Sequence, residues 1–337
     1  MKFERFNDPT EVDEDQVAAL LANGDVPIIQ FSEPPARLAI LSEIDALCRK
    51  FGDRLEVRFY GFYGQSFDAG LLASLPHVQW LSVDCLERAE SLEPLSQLSH
   101  LGKLSFGVFR LDAPDILSRI NLGQIKELRL GETAKNNIDL TPLAHCAQLS
   151  RLTLSSHTKG INSLGKLSGL TELTLRSIPN KQSLAFVGQI SGLKKLSVML
   201  GGRSDLNEIS HPELTELEVV WVRGFEDTGD FGRFPSLEWL RIENQLRLTA
   251  IDFDGGSPRL KKLGLFNCKK LTRLGKLSKL TALEELRVAV TALDFETLVA
   301  AGLPSSLRHI GFWTGKTKST DLIHKRLVEL GYPNPNE

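Results

Sequence analysis

The sequence has few of the features that catalysis, metal binding or membrane insertion require. It contains four cysteines and no His-x-x-x-His or Cys-x-x-Cys pair, so we expect neither a metal nor a cofactor. No nucleophile elbow, P-loop or kinase motif is present, and this absence predicts that the chain is not an enzyme. No apolar run approaches the length of a membrane-spanning helix.

Charge of either sign is not in excess. The chain has 40 basic and 42 acidic residues, a net charge of -2, which gives no general attraction to nucleic acid. Residues 1–25 hold seven acidic and two basic residues without an apolar segment, so they do not resemble a signal peptide. These features predict a cytoplasmic protein, and secretion without a cleaved signal remains the alternative.

The main pattern in the sequence is a repeat of three apolar residues, spaced i, i+3 and i+5. It begins at Val78/Leu81/Val83, ends at Leu307/Ile310/Phe312, and recurs every 21 to 24 residues. Alternation at i+3 and i+5 predicts a short strand with one buried face. A single unit cannot bury its own apolar side chains, so the units must stack as an α/β solenoid.

The segments between these strands carry apolar residues at every third position, as in Leu92, Leu95 and Leu98. This spacing predicts short 3₁₀ or helical turns on the convex side, with parallel strands on the concave side. The L-x-x-L-x-L pattern resembles the leucine-rich repeat family, most closely its short bacterial or cytosolic repeats. The resemblance covers residues 78–313 and implies a leucine-rich repeat horseshoe.

The family usually places Asn or Cys at i+8, where the side chain bonds to the backbone of the turn. In this chain only Cys268 fits that pattern, so we expect irregular turns. Secreted members of the family usually close their ends with clustered cysteines, and this sequence has no such cluster. That difference also favours a reducing compartment.

The ends predict caps on the solenoid. Residues 1–53 are interpreted as an N-terminal helical cap with a degenerate first repeat, containing helices over 10–22 and 36–51. Residues 54–313 form the solenoid of about 12 units, and residues 314–337 a C-terminal capping helix and tail. A further helix is predicted at 294–301.

His145 and Cys146 form the only contiguous pair of a histidine and a cysteine, a candidate base beside a candidate nucleophile. Cys146 occupies the place of a convex-wall leucine, so a buried, inert thiol is the preferred interpretation.

Side chains at i+2, i+4 and i+6 should point away from the core, onto the concave surface. The i+2 positions alternate in sign along the repeats, which favours a ladder of self-paired charges. Tryptophan on such a surface adds nothing to the core, and Trp, Tyr and Arg dominate binding hot spots. We therefore predict a partner-binding site for another protein at Trp239, Arg241, Phe266, Arg287, Trp313 and Met199, with Trp80 and Tyr60 as a weaker second contact. The competing interpretation is that the C-terminal cap covers Trp313 and Phe266.

A basic stretch from Arg259 to Lys279 contains no acidic residue. Its cations are Arg259, Lys261, Lys262, Lys269, Lys270, Arg273, Lys276 and Lys279. It could bind nucleic acid or an acidic partner, and a solvated flank is the simpler interpretation. The sequence as a whole predicts a non-enzymatic recognition module, of which a bacterial adaptor, a toxin-neutralising protein and a delivered effector are all compatible versions. Oligomeric state is not predicted.

Overall fold

A computed structural model describes residues 2–333 of the chain. It divides into two compact units, Met1–Leu170 and Thr171–Glu337. Each unit contains a parallel sheet whose strands follow one another in sequence order, and each strand is joined to the next by a turn or short helix. This arrangement confirms the predicted leucine-rich repeat solenoid fold.

The N-terminal unit has seven strands in its main sheet. They are β1 (Phe3–Asn7), β2 (Val26–Phe31), β3 (Glu56–Gly61), β4 (Trp80–Leu86), β5 (Lys103–Val108), β6 (Glu127–Leu130) and β7 (Arg151–Ser155). The connections hold helices α1 (Glu14–Ala22), α2 (Ala39–Phe51) and α3 (Ile116–Arg119), and 3₁₀ turns at Gly52–Arg54, Ala69–Ser74, Glu93–Gln97, Thr141–His145 and Ile161–Lys166. Two short strands, Phe67–Asp68 and Ala89–Glu90, pair with each other outside the main sheet.

The C-terminal unit also has seven main strands. They are β8 (Glu172–Arg176), β9 (Lys195–Met199), β10 (Glu216–Val220), β11 (Trp239–Glu243), β12 (Lys262–Phe266), β13 (Glu285–Ala289) and β14 (His309–Trp313). The described part of this unit has two helices. Helix α4 (Phe295–Ala300) is short, and the longer helix α5 (Thr317–Glu329) follows the last strand. The 3₁₀ turns are Ala185–Gln189, Phe231–Arg233 and Leu277–Lys279, and the short strands Ala250–Ile251 and Arg273–Leu274 pair with each other.

The apolar repeat builds the core of both units. All three residues of every predicted repeat are buried, from Val78 to Phe312. Equivalent residues pair across neighbouring strands, as Leu217 does with Leu240, so the leucines form continuous rows. Truncating a buried leucine of this kind to alanine typically costs about 2 to 5 kcal/mol.

The chain leaves most of the repeat strands through a residue in the left-handed backbone region. Position i+7 has a positive φ in eight repeats, at Cys85, Ser156, Ser177, Leu200, Trp221, Asn244, Asn267 and Val290. This conformation costs an ordinary L-residue on the order of 1 kcal/mol, and Asn tolerates it best among non-glycine residues. These eight repeats therefore share one exit conformation.

Side chains at i+8 bond to the turn backbone even where they are neither Asn nor Cys. His157 Nε2 donates to the Gly131 carbonyl at 2.8 Å, and Gln245 Nε2 donates to the Val219 carbonyl at 3.1 Å. Cys268 Sγ lies 3.8 Å from the Ile242 carbonyl. Side chains of three different types therefore perform the same task, because any buried donor of suitable length can reach the preceding rung.

The caps agree with the sequence in part. Helix α1 begins at Glu14, not at residue 10, because Asp13 is its N-cap and accepts a hydrogen bond from the Asp15 amide. The helices predicted at 36–51 and 294–301 are present as α2 and α4, and α5 provides the C-terminal helix. Strand β1 was not predicted, because it has no buried face to leave a period-two pattern. Residues 334–337 of the predicted tail lie outside the described residues.

Between residues 2 and 333, no helix has both the length and the apolar character that crossing a bilayer requires.

Candidate functional site

The exposed face of the C-terminal sheet carries a cavity of about 580 Å³. Four of the predicted partner-binding residues line it, Trp239, Arg241, Phe266 and Arg287, together with Lys261 and Lys262 of the basic stretch. They are brought together because β11, β12 and β13 are adjacent and in register, with Arg241, Gly264 and Arg287 opposite one another. The remaining lining residues are Thr215, Glu216, Glu238, Leu263, Gly264 and Glu285.

Trp239 is a half-buried residue at the start of β11. The Lys195 ammonium lies 5.0 Å from the centroid of its ring, a cation–π contact that orients the indole. Across the sheet Trp239 pairs with Glu216 on one side and Lys262 on the other. The ring is therefore held by polar neighbours and keeps part of its surface open to solvent.

Phe266 lies flat over the backbone of its own strand. A Cβ atom at Gly264 would come within 2.7 Å of the Phe266 ring, so only glycine permits this position. The Arg241 guanidinium stacks 5.3 Å above the ring centroid and bonds Glu243 at 2.5 Å. Arg287 forms an ion pair with Glu285. The two arginines are thus held by their ion pairs on either side of Gly264, which has no side chain to fill the space between them.

Trp313 does not belong to this cavity. Its ring lies over Gly311, where a Cβ would come within 2.3 Å of it, and it contacts the His324 ring of α5 edge-on at 5.8 Å. The buried His324 is itself bonded to the Phe312 carbonyl at 3.1 Å. The C-terminal helix therefore contacts Trp313, whose side chain stays half-buried, as the competing interpretation required in part.

Met199 also lies outside the cavity. It is half-buried at the end of β9, where its lateral neighbours are Arg176 and Val220.

In the N-terminal unit, Trp80 and Tyr60 carry cations over their rings. Lys103 Nζ is 4.5 Å from the Trp80 centroid, and the Arg58 guanidinium is 4.7 Å from that of Tyr60. Trp80 lines a separate cavity of about 680 Å³, whereas Tyr60 does not. These two residues are not part of the site around Trp239.

The floor of this N-terminal cavity is a hydrogen-bonded network. Ser82 Oγ donates to the buried Glu56 carboxylate at 2.6 Å, and burial raises the pKa of Glu56 against the opposing effect of that hydrogen bond. Asp84 accepts from Arg58 at 2.8 Å and from Ser105 at 3.2 Å.

The alternating charges at i+2 pair across neighbouring strands as predicted. Glu127 bonds Arg151 at 2.6 Å, Lys195 lies 3.2 Å from Glu216, and Lys262 lies 3.7 Å from Glu285. Each exposed pair of this kind contributes about 0 to 1 kcal/mol, so the ladder is mainly a solvated surface.

The basic stretch divides into two halves. Four of its cations meet carboxylates: Lys261 with Glu238, Lys262 with Glu285, Arg273 with Asp252 and Lys279 with Asp254. Arg259, Lys269, Lys270 and Lys276 have no carboxylate within ion-pair distance among residues 2–333. Half of the positive charge that suggested nucleic acid is therefore already compensated.

Cys146 is a buried thiol beside an exposed His145. Burial raises the pKa of Cys146 to about 11, and it raises that of Cys48 to about 12 and that of Cys268 to about 11. These thiols are protonated near neutral pH and are poor nucleophiles. Cys146 matches the preferred interpretation from the sequence.

Sequence reasoning missed the glycines at i+4. Gly264 and Gly311 each precede an aromatic residue by two positions, and each ring lies over its glycine. A Gly-x-aromatic sequence within a repeat strand was the available signal.

Several solved structures are similar to this chain. An internalin, inlF, from Listeria monocytogenes has a TM-score of 0.57 and 18% identity, covering 84% of this chain and 78% of its own. The Toll–Spatzle complex of Drosophila has a TM-score of 0.47 and 14% identity, covering 92% and 51%. A leucine-rich repeat protein of Leptospira interrogans has a TM-score of 0.39 and 15% identity, covering 84% and 88%.

At this level of identity, the similarity to the internalin establishes the leucine-rich repeat fold and nothing more specific. No family model matches the sequence, and no curated protein matches it.

Proposed function

We propose that this leucine-rich repeat chain is a non-enzymatic recognition module that holds another protein on the exposed sheet face of its C-terminal unit. The contact centres on Trp239, Arg241, Phe266 and Arg287. Met199 and Trp313 lie at its margins, and Trp80 and Tyr60 offer a weaker contact in the other unit.

The observation that carries this proposal is the open cavity beside Trp239, with two aromatic rings and two fixed guanidinium groups around it. Tryptophan and arginine are the residues most enriched among binding hot spots. Because these side chains are already held by Lys195, Glu243 and Glu285, binding would order few of them, and less entropy would be lost.

The test compares two tryptophans that occupy equivalent positions. Trp239→Ala and Trp80→Ala both remove an i+2 indole that lies under a lysine, one from each unit. Proteins captured from a native lysate by the wild-type chain are identified and measured against both variants. We expect Trp239→Ala to reduce capture by at least about tenfold, equivalent to a hot-spot loss above 1.4 kcal/mol. Trp80→Ala should have little effect.

Equal capture by Trp239→Ala and wild-type protein would reject the proposed site. A loss of the same size in both variants would show that the contact with the partner is not specific to the cavity beside Trp239.

Several finer points belong to the proposal as well. The roles of adaptor, toxin-neutralising protein and delivered effector share this chemistry, and the captured partner would distinguish them. A cytoplasmic location is supported by the four unpaired cysteines, three of which are buried. The absence of catalysis is supported by the raised pKa of those buried thiols.

A further inference from the structure

A second surface of the C-terminal unit lies where the chain leaves strands β9 to β12. We define this strand-exit edge as residues 200–203, 221–224, 244–247 and 267–270. Backbone hydrogen bonds join the rungs, from the Leu200 amide to the Val220 carbonyl at 2.9 Å and from the Trp221 amide to the Glu243 carbonyl at 3.0 Å. Gly202 and Arg223 form a parallel bridge. The four segments are therefore neighbours in space.

Large apolar side chains are exposed along this edge. Leu200 is 40% exposed, Trp221 54% and Leu246 60%. Leu200 and Trp221 also occupy the positive-φ position, for which asparagine, as at Asn244 and Asn267, is better suited. Bulky residues here fill no core and sit in an unfavourable backbone conformation, so neither packing nor backbone preference accounts for them.

The charge on the edge has one sign. Its sixteen positions include five basic residues and no acidic residue. Arg203 is buried and bonded to Glu208 at 3.2 Å. Arg223, Arg247, Lys269 and Lys270 are exposed, and none of them forms an ion pair with a carboxylate of residues 2–333. The corresponding segments on either side, 177–180 and 290–293, contain no charged residue, so the feature is confined to these four rungs.

We propose that the strand-exit edge binds an acidic protein segment that inserts aromatic or aliphatic side chains between Leu200, Trp221 and Leu246. The four unpaired cations would attract its carboxylates, and the apolar row would bury its apolar side chains. Nucleic acid fits less well, because the exposed side chains of Leu200 and Leu246 offer nothing to a phosphate backbone. This edge is separate from the sheet face around Trp239.

A display library of short random peptides provides the probe. It is panned on the wild-type chain and counter-selected on a triple variant, Leu200→Asn, Trp221→Asn and Leu246→Ser. Asparagine already occupies the same position at Asn244 and Asn267, so the variant suits the backbone and should keep or raise its melting temperature. We expect the enriched peptides to be acidic and to contain at least one large apolar residue.

The best enriched peptide is then synthesised, labelled and titrated by fluorescence anisotropy. Binding should weaken by about tenfold or more in the triple variant and in Arg223→Gln/Lys269→Gln. The matched charge control is Arg259→Gln/Lys276→Gln, which removes two unpaired cations outside the edge and should change affinity by less than about twofold. Trp239→Ala should also leave the affinity for this peptide unchanged. The result therefore tests the strand-exit edge separately from the proposed contact on the sheet face.

Three outcomes would overturn the proposal. The first is that no peptide is enriched over the counter-selection, or that the enriched peptides are neutral or basic. The second is that oligo-dT displaces the peptide as well as an unlabelled copy of the peptide does, which would indicate a general polyanion surface. The third is self-association of the wild-type chain that the triple variant abolishes, which would make a second copy the occupant.

Discussion

The sheet faces of the two units use the same strand positions for opposite purposes. In the N-terminal unit, Ser82 and Ser105 lie beside Glu56 and Asp84 and satisfy their carboxylates. In the C-terminal unit, the equivalent columns carry aromatic rings, as at Trp239 and Phe266, and a glycine gap at Gly264.

This difference shows how one repeat can give two surfaces with different affinities for a partner. Covering the N-terminal face would require a ligand to replace hydrogen bonds that the protein already makes, which gains little free energy. Covering the C-terminal face removes aromatic surface from water, which is favourable in proportion to its area. The same scaffold therefore offers a cavity with a hydrogen-bonded floor in one unit and a cavity bordered by Trp239 and Phe266 in the other.

The largest expected effect separates Trp313 from Trp239, two of the three tryptophans of the C-terminal unit. Trp313→Ala should lower the free energy of unfolding by roughly 2 kcal/mol, because its ring fills the space between Gly311 and His324. Trp239→Ala should cost less than half as much, since its ring borders an open cavity. Urea-dependent labelling of the buried Cys268 measures the change, with Cys146 of the other unit as the internal control. Equal losses would contradict the assignment of Trp313 to the cap and Trp239 to the surface.

A smaller effect compares glycines on the two faces. Gly264→Ala places a Cβ within 2.7 Å of Phe266 and should displace the ring, costing about 1 kcal/mol and reducing partner capture. Gly107→Ala in the N-terminal unit meets its nearest atoms at 3.6 Å and should change stability by less than about 0.5 kcal/mol. Urea unfolding of both variants tests the comparison, and an equally mild Gly264→Ala would show that the ring does not depend on the glycine.

The smallest effect concerns pH and the buried carboxyl of the N-terminal face. Because burial raises the folded pKa of Glu56 above its unfolded value, the folded chain binds this proton at higher pH than the unfolded chain does. This group therefore costs stability above its raised pKa, and the cost disappears as the pH falls through that pKa towards the reference value of 4.5. Glu56→Gln should stabilise the chain at neutral pH by less than about 1 kcal/mol, with the advantage vanishing in acid.

Urea midpoints of wild-type protein and Glu56→Gln, measured from neutral pH down to acid, provide the test. A constant difference across that range would indicate that the carboxyl does not titrate as its burial requires.

Much of the fold could be predicted from patterns within short stretches of the sequence. The i, i+3, i+5 register identified the buried positions from Val78 to Phe312, because each repeat must present the same apolar side chains to its neighbours. It also placed Trp239, Arg241, Phe266 and Arg287 on one face. The edge strand β1 escaped detection, since a strand without a buried side leaves no alternation in the sequence.

The sites were harder to predict than the scaffold. The basic stretch was visible in the sequence, yet its division into paired Arg273 and Lys279 and unpaired Lys269 and Lys270 depends on carboxylates more than 20 residues away. Likewise, the exposure of Leu200 and Trp221 depends on where the chain turns after each strand.

The amino-acid order by itself determined the stack of parallel strands, because leucines that recur at fixed intervals can all be buried only when the repeats stack on one another. Only the tertiary structure decided which side chains outside the leucine rows already have a partner within the protein. His324 of α5 reaches Trp313, Arg241 covers Phe266, and His157 and Gln245 bond the turns before them. The physical reason is that these contacts join residues on different rungs or on the cap, where separation along the chain carries no information about distance in space.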